Sequence, residues 1–254
     1  MKILLTNDDG INAPGLAALA AEISKFADII VVAPATEMSA VGHAITLSDP
    51  LRVSEYQKNG TFFGYAVSGT PADCVKIAHY ALLKDQPKPD VLISGINLGS
   101  NTGINTIYSG TVSAATEGAI IGIPSFAVSL ATYTNPCFDI AAEFAGKIAR
   151  MLPKMNLPDG VFLNVNVPPV TREEIRGVQI TRQGKTNYME KFDVRKDPRQ
   201  RKYYWLTGEK EPVEQEKDVD DRAILENKIS ITPVHYDLTY YPMLKELEHL
   251  QIKL

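Results

Sequence analysis

The chain has 254 residues, a net charge of −4, 44% apolar side chains and 22% charged ones. That balance suits one soluble globular domain with a substantial core. It leaves no broad basic excess for a general nucleic-acid coat, and no apolar run reaches membrane-spanning length. Cys74 and Cys137 are the only cysteines, in no CxxC or Cys/His spacing, which argues against cysteine-held zinc and a disulfide framework.

Residues 2–6 form a short apolar run of β character that stops at Asn7-Asp8-Asp9-Gly10. The run is too short for a signal-peptide core and is followed at once by two acids, so the cytoplasm is the expected compartment. Pro14-Gly15 opens a helical pattern over 16–26, with Leu16, Leu19 and Ile23 on one face. Residues 28–33 are a continuous apolar strand ended by Pro34. Strand, helix and apolar strand in some thirty residues make a βαβ unit, and continuous apolar runs imply a parallel sheet covered on both faces.

Residues 34–45 form a polar loop of small side chains. Segments 51–56 and 62–67, joined through Asn59-Gly60, read as a β-hairpin. Thr70-Pro71 starts a helix to about residue 83, with Thr70 as N-cap and Asp73 completing a capping box. A buried strand at 90–94 runs into a loop over 95–111. A helix over 112–121, a strand over 124–130, a helix over 138–151 and a strand over 161–167 follow. From about residue 172 charged and aromatic side chains dominate. Strand-like patches occur at 177–181, 202–207 and 229–233, a short helix follows the acids of 209–221, and an amphipathic helix spans 241–250. The expectation is a single α/β domain over 1–254: a core over 1–170, then an arm over 171–254 too small to fold alone. Such arms often pack on a second subunit.

Two adjacent carboxylates at the end of a buried strand are costly unless something pairs them. A divalent cation does so; a helix cap with one solvated Asp is the competing explanation. In an open parallel sheet, ligands gather at the carboxyl ends of strands. Three such loops carry oxygen donors: Asp8-Asp9, Ser39 and Asn97. Carboxylate, hydroxyl and amide oxygens suit Mg²⁺ or Mn²⁺ rather than zinc. The 95–111 loop holds four glycines and three asparagines ahead of a helix. Glycines admit close backbone approach, and a helix N-terminus offers free N–H groups. Ser109-Gly110-Thr111 there makes a candidate phosphate seat, although there is no Walker lysine and no GxGxxG. Metal and phosphate seat together point to phosphate-ester hydrolysis.

Of the four histidines, His43 is placed to reach a leaving group beside Gly42. His79 reads as structural, His249 as solvated and His235 as a hinge or subunit contact. The basic run from Arg182 to Lys202, interleaved with aromatics, is interrupted by Glu190, Asp193 and Asp197. A solvated arm fits it better than a nucleic-acid groove.

These motifs resemble the SurE family of metal-dependent 5′(3′)-nucleotidases. The resemblance rests on ILLTNDDGINAPG (3–15), VVAPATEMSAVGHAIT (31–46), VSGTPADCV (67–75), SGINLGSNTGINTIYSGTVSAATEG (94–118) and ITPVHYDLT (231–239). It implies a Rossmann-like three-layer core with a C-terminal hairpin and helix arm swapped between subunits of a homodimer or homotetramer. It implies hydrolysis of nucleoside monophosphates, with 3′-nucleotides or short polyphosphate as further substrates, and no stable nucleic-acid partner. It implies one Mg²⁺ or Mn²⁺ per subunit on Asp8, Asp9, Ser39 and Asn97, with Asp8 also orienting or deprotonating the attacking water. Asn101, Ser109, Gly110 and Thr111 are then expected to hold the phosphate, with Gly42 and His43 near the substrate. Two rivals remain: a receiver-like Mg²⁺-binding module without catalysis, and a haloacid-dehalogenase-type phosphatase. The latter needs Asp-x-Asp, which the adjacent pair breaks.

Overall fold

The computed structural model describes residues 1–186 and 188–250. Nine strands form one sheet. In chain order its first half is β1 (Lys2–Thr6), α1 (Pro14–Ile23), β2 (Asp28–Pro34), β3 (Val53–Lys58), β4 (Thr61–Val67) and α2 (Pro71–Ile77). There follow β5 (Val91–Leu98), α3 (Asn105–Tyr108), α4 (Gly110–Ile120), β6 (Ser125–Leu130), α5 (Asp139–Met151) and β7 (Val161–Val167). The remainder is β8 (Val178–Ile180), β9 (Tyr188–Lys196), β10 (Lys202–Lys210), α6 (Asp220–Leu225), β11 (Ile229–His235) and α7 (Tyr241–Glu248).

The sheet order is β3-β4-β2-β1-β5-β6-β7-β11-β8. Only β3 against β4 and β11 against β7 run antiparallel. From β1 the chain moves first to β2 on one side and later to β5 on the other. The gap between β1 and β5 is therefore the topological switch point, where loops diverge and leave a crevice.

Helices cover both faces. Ile3 and Leu5 point into a core layer shared with Leu16, Leu19 and Ile23 of α1 and with α5, while Leu4 points into the opposite layer with Val75 of α2 and Ala114 of α4. Each of these side chains is worth about 1.5–3 kcal/mol of burial. That alternation explains why β1 reads as continuously apolar. Gly15 sets how closely α1 lies on β5: a Cβ there would stand 2.0 Å from the Ile96 carbonyl oxygen. The Thr70 cap and its box with Asp73 form as expected.

Three segments differ from their sequence expectation. β5 does not stop at Ser94 but runs to Leu98, with its register against β6 shifting between Gly95 and Asn97. Gly95 accommodates this at φ +136°, where a Cβ would meet the Val128 carbonyl oxygen at 2.2 Å. Asn97 consequently sits at a strand end rather than in a loop. Second, strands on both sides of residue 170 share the main sheet, because β11 pairs with β7 and carries β8 at the edge. Only the β9–β10 hairpin stands outside that sheet. Third, β9 has no apolar run to announce it: its ladder with β10 alternates charged and apolar side chains.

Candidate active site at the β1–β5 crevice

The turn after β1 is built by short bonds. Asn7 Nδ2 donates to the Gly10 carbonyl at 3.0 Å, and Gly10 takes φ +96°. The Met38 N–H donates to the Asp8 carbonyl at 2.8 Å and the Ile11 N–H to that of Pro34 at 2.8 Å, tying the loop after β2 to this turn. Asp8 is 4% exposed. Its Oδ1 accepts the Thr111 hydroxyl, and its Cβ lies 2.8 Å from where a side chain on Gly110 would begin. Asp9 accepts the Leu98 N–H at 3.3 Å, which brings it beside Asn97. Asn97 Nδ2 donates to the Gly99 carbonyl at 2.7 Å, turning the amide so that its oxygen is the end offered to a cation. The Ser39 hydroxyl is exposed and donates to Glu37 at 2.6 Å.

The electrostatics are one-sided. Burial pushes the Asp8 carboxyl up, with Glu37 adding to the shift. Burial, then the Asp8 charge, pushes Asp9 up to about 7. The charged groups acting on the pair are each other and Glu37, all negative. A buried and a half-buried carboxylate side by side, with no cation among the charged groups acting on them, are an arrangement that a bound cation would relieve. Among the described residues no three His, Cys, Asp or Glu side chains cluster as a metal site. The oxygens near the pair are those of the Ser39 hydroxyl and the Asn97 amide, a donor chemistry that suits a hard divalent cation such as Mg²⁺ or Mn²⁺.

The crevice opens into a cavity of about 270 Å³. Asp8, Ser39, Asn97, Asn101 and Ser109 line it, joined by Asn105, Tyr108 and Tyr133. Ser109 caps α4, its hydroxyl accepting the Val112 N–H at 3.1 Å. Asn101 is clamped from the sheet side: its N–H donates to Asn166 at 2.8 Å, its carbonyl accepts Asn164 at 2.7 Å, and its Nδ2 donates to Ser129 at 2.9 Å. Thr111 and Gly110 lie behind Asp8 rather than on the cavity wall. The Thr111 hydroxyl, 0% exposed, is spent on the carboxylate and is not free for a phosphate.

His43 and Gly42 also turn away from the cavity wall. His43 Nε2 pairs with Glu117 at 3.0 Å, whose other oxygen takes Lys76 at 2.6 Å; the Gly42 N–H donates to the Tyr108 carbonyl at 3.0 Å. They fasten the Ser39 loop to α3 and α4. His235 pairs with Val161 at the amino end of β7, the opposite end of the sheet from the crevice.

Glu37, Asn105, Tyr108, Tyr133 and the Asn164/Asn166 clamp were not anticipated. The clamp had a visible signal: two asparagines at alternate positions in an otherwise apolar strand, VFLNVNV. Two arginines of the basic run are paired within it, Arg195 with Asp193 at 2.7 Å and Arg201 with Asp197 at 2.8 Å. Among the described residues no helix is long and apolar enough to cross a membrane.

A mostly parallel α/β sheet with helices on both faces and an acidic, oxygen-rich crevice at its switch point defines a Rossmann-like protein. The chain belongs to the SurE family: the model described as Survival protein SurE matches residues 3–190. It is 54% identical over 254 residues to a protein of Syntrophus aciditrophicus named 5′-nucleotidase SurE, covering 100% of this chain and 95% of that one. It is 51% identical over 247 residues to the 5′-nucleotidase SurE of Syntrophobacter fumaroxidans, covering 97% and 98%. The crystal structure of the SurE protein from Aquifex aeolicus superposes with a TM-score of 0.85 at 38% identity, covering 99% of this chain and all of that one.

Proposed function

We propose that this protein is a metal-dependent 5′-nucleotidase. It hydrolyses a nucleoside 5′-monophosphate to nucleoside and inorganic phosphate by attack of water on phosphorus. The observation that carries this is the Asp8–Asp9 pair, Asp8 buried and Asp9 half-buried, whose charged neighbour is the negative Glu37, opening onto a cavity lined by Asn101 and Ser109. Asp8, Asp9, Ser39 and Asn97 hold one Mg²⁺ or Mn²⁺ per subunit. When bound, such an ion polarises a phosphoryl oxygen and lowers the pKa of a bound water.

The chain's own groups do the rest. Asp8 orients the attacking water, and Thr111 fixes Asp8 from behind. Asn101 and Ser109, both on the cavity wall and the latter at the head of α4, hold the phosphate oxygens. Asp8 and Asp9 are adjacent rather than spaced as Asp-x-Asp, and both would hold the cation, so water and not a carboxylate is the nucleophile. A receiver-like module would need a phospho-accepting Asp at the end of β5, where Ser94, Gly95 and Asn97 stand. A panel of nucleoside 5′- and 3′-monophosphates and short polyphosphate, assayed with EDTA and then Mn²⁺, tests the assignment. Metal-restored release of phosphate from 5′-monophosphates is expected; none from any substrate would refute it.

We also propose that the hairpin packs on a second copy of the chain. Register places Phe192 opposite Leu206 and Val194 opposite Tyr204 on one face, and these are 54–62% exposed. A two-stranded hairpin with an uncovered apolar face is marginal alone. Light scattering is expected to show a dimer or tetramer for the wild type and smaller species for Phe192→Glu/Leu206→Glu. An unchanged mass in that variant would place the interface elsewhere.

A further inference from the structure

A second pair of adjacent carboxylates lies outside the crevice. Asp220 and Asp221 open α6 and are 0% and 4% exposed. Asp220 Oδ2 accepts the Gly103 N–H at 2.9 Å, and its Oδ1 accepts those of Gly184 at 2.9 Å and Asp221 at 2.8 Å. Asp221 takes the Thr102 hydroxyl. Gln183 Nε2 donates to the Gly103 carbonyl at 2.8 Å, and the Ile104 N–H points at that of Thr186 at 3.4 Å. The head of α6 and residues 183–186 therefore clasp residues 102–104. Gly103 sits at φ +57°, where a Cβ would stand 2.9 Å from the Thr186 carbonyl oxygen, so only glycine fits the clasp.

The clasped segment joins Asn101 to Asn105, and both line the cavity with Tyr108. Asn101 is held independently, by β6 and β7. Among the described residues no hydrogen bond from the sheet clamps Asn105 or Tyr108; the Asn105 N–H bonds back to the Thr102 carbonyl at 3.2 Å, so the path of 102–104 places the start of α3, and Gly42 meets its end. A glycine-rich loop holds one path only where its backbone groups are engaged.

We propose that Asp220, with Asp221 beside it, is a positioning residue for substrate binding. It holds the Asn105–Tyr108 wall of the cavity in register with Asn101 without touching substrate or cation. The inference rests on the phosphomonoesterase reading above. The same carboxylate fastens Gly184, just before β9, so the root of the hairpin and the substrate loop share one anchor.

Asp220→Asn preserves shape but sets an amide NH₂ against one of three N–H donors. Thr102→Val removes the hydroxyl bond to Asp221 while leaving all three N–H bonds to Asp220, and serves as the milder variant if the first does not fold. In the full-length protein with Mn²⁺, Asp220→Asn is expected to raise KM for a nucleoside 5′-monophosphate about tenfold, the scale of one lost buried bond. The inhibition constant of inorganic phosphate rises with it, and Thr102→Val shifts both by a smaller factor. The half-saturating Mn²⁺ concentration stays within about twofold, because Asp8, Asp9 and Asn97 lie off the clasped segment. A fall in melting temperature with unchanged KM and phosphate inhibition in both variants would show a purely structural role and overturn the proposal. So would a half-saturating Mn²⁺ concentration that climbs in step with KM. An inactive wild type would overturn the phosphomonoesterase reading itself and this inference with it. An active wild type with unaltered variants would overturn the inference alone.

Discussion

Asp8→Asn is expected to lower kcat/KM for a nucleoside 5′-monophosphate by about 10³-fold or more, while leaving the metal-free fold no less stable than the wild type. The two effects separate because Asp8 is built for charge, not for packing. It is 4% exposed, and burial pushes its carboxyl up. A raised carboxyl means that the folded state binds the proton more tightly than the unfolded chain. The associated stability is present below the unfolded pKa and is lost as pH rises through the folded one. Ionising this side chain is therefore a cost to the metal-free fold, and an amide of equal size removes that cost. Asparagine keeps an oxygen for the Thr111 hydroxyl and fits the space left by Gly110. Thermal melts in EDTA beside steady-state kinetics with Mn²⁺ check both halves. A folded, fully active Asp8→Asn would remove Asp8 from the centre of the site. Asp8→Ala is the less informative change, because it also opens a cavity and leaves the Thr111 hydroxyl unpaired.

The parts of the crevice that sequence could reveal are those announced locally. Asp8 and Asp9 interrupt an apolar strand, Ser39 follows the next one, and Asn101 and Ser109 stand in a loop whose glycines mark close backbone approach. The continuous apolar runs of β1, β2, β6 and β7 likewise told of a parallel sheet covered on both faces. What stayed hidden depends on long-range pairing. Asp220 meets Gly103 across 117 positions, and no spacing reports that. β11 inserts beside β7, so the sheet continues past the boundary suggested by the change of composition at residue 172. Thr111 looked like a phosphate donor because a helix N-terminus commonly is one, yet its hydroxyl is consumed by Asp8. His43 looked free for the substrate because its partner, Glu117, lies on another element.

Chelation is expected to abolish hydrolysis, and the Mn²⁺ concentration that half restores it should rise at least tenfold for each pH unit below about 7. Asp9 sits at about 7 without a cation, and burial raises Asp8 as well. A cation entering below that pH must displace protons from these carboxylates, so one bound proton makes its apparent affinity fall tenfold per unit, and two make it fall faster. Above pH 7 the dependence on Asp9 flattens. The same linkage governs stability. Without metal, the fold loses stability as pH climbs from the ordinary carboxylate range to about 7, since the raised Asp9 then ionises beside Asp8 and Glu37. A cation relieves that repulsion, so the gain in melting temperature on adding Mn²⁺ should grow across this window. At hundredfold excess over Kd the gain is about 2.7 kcal/mol, or about 5–10 °C for a chain of this size. At pH 5 the same addition should move the melt less, because Asp9 then holds a proton that the cation must displace. Calorimetric titration of Mn²⁺ between pH 5 and 8 measures the proton competition directly, and melts over the same range measure its effect on the fold. A flat affinity across that range would mean that the ion does not sit on Asp8 and Asp9. Their raised affinity for protons and their affinity for a divalent cation have one cause: two adjacent carboxylates withdrawn from water, with the negative Glu37 as the charged group acting on them.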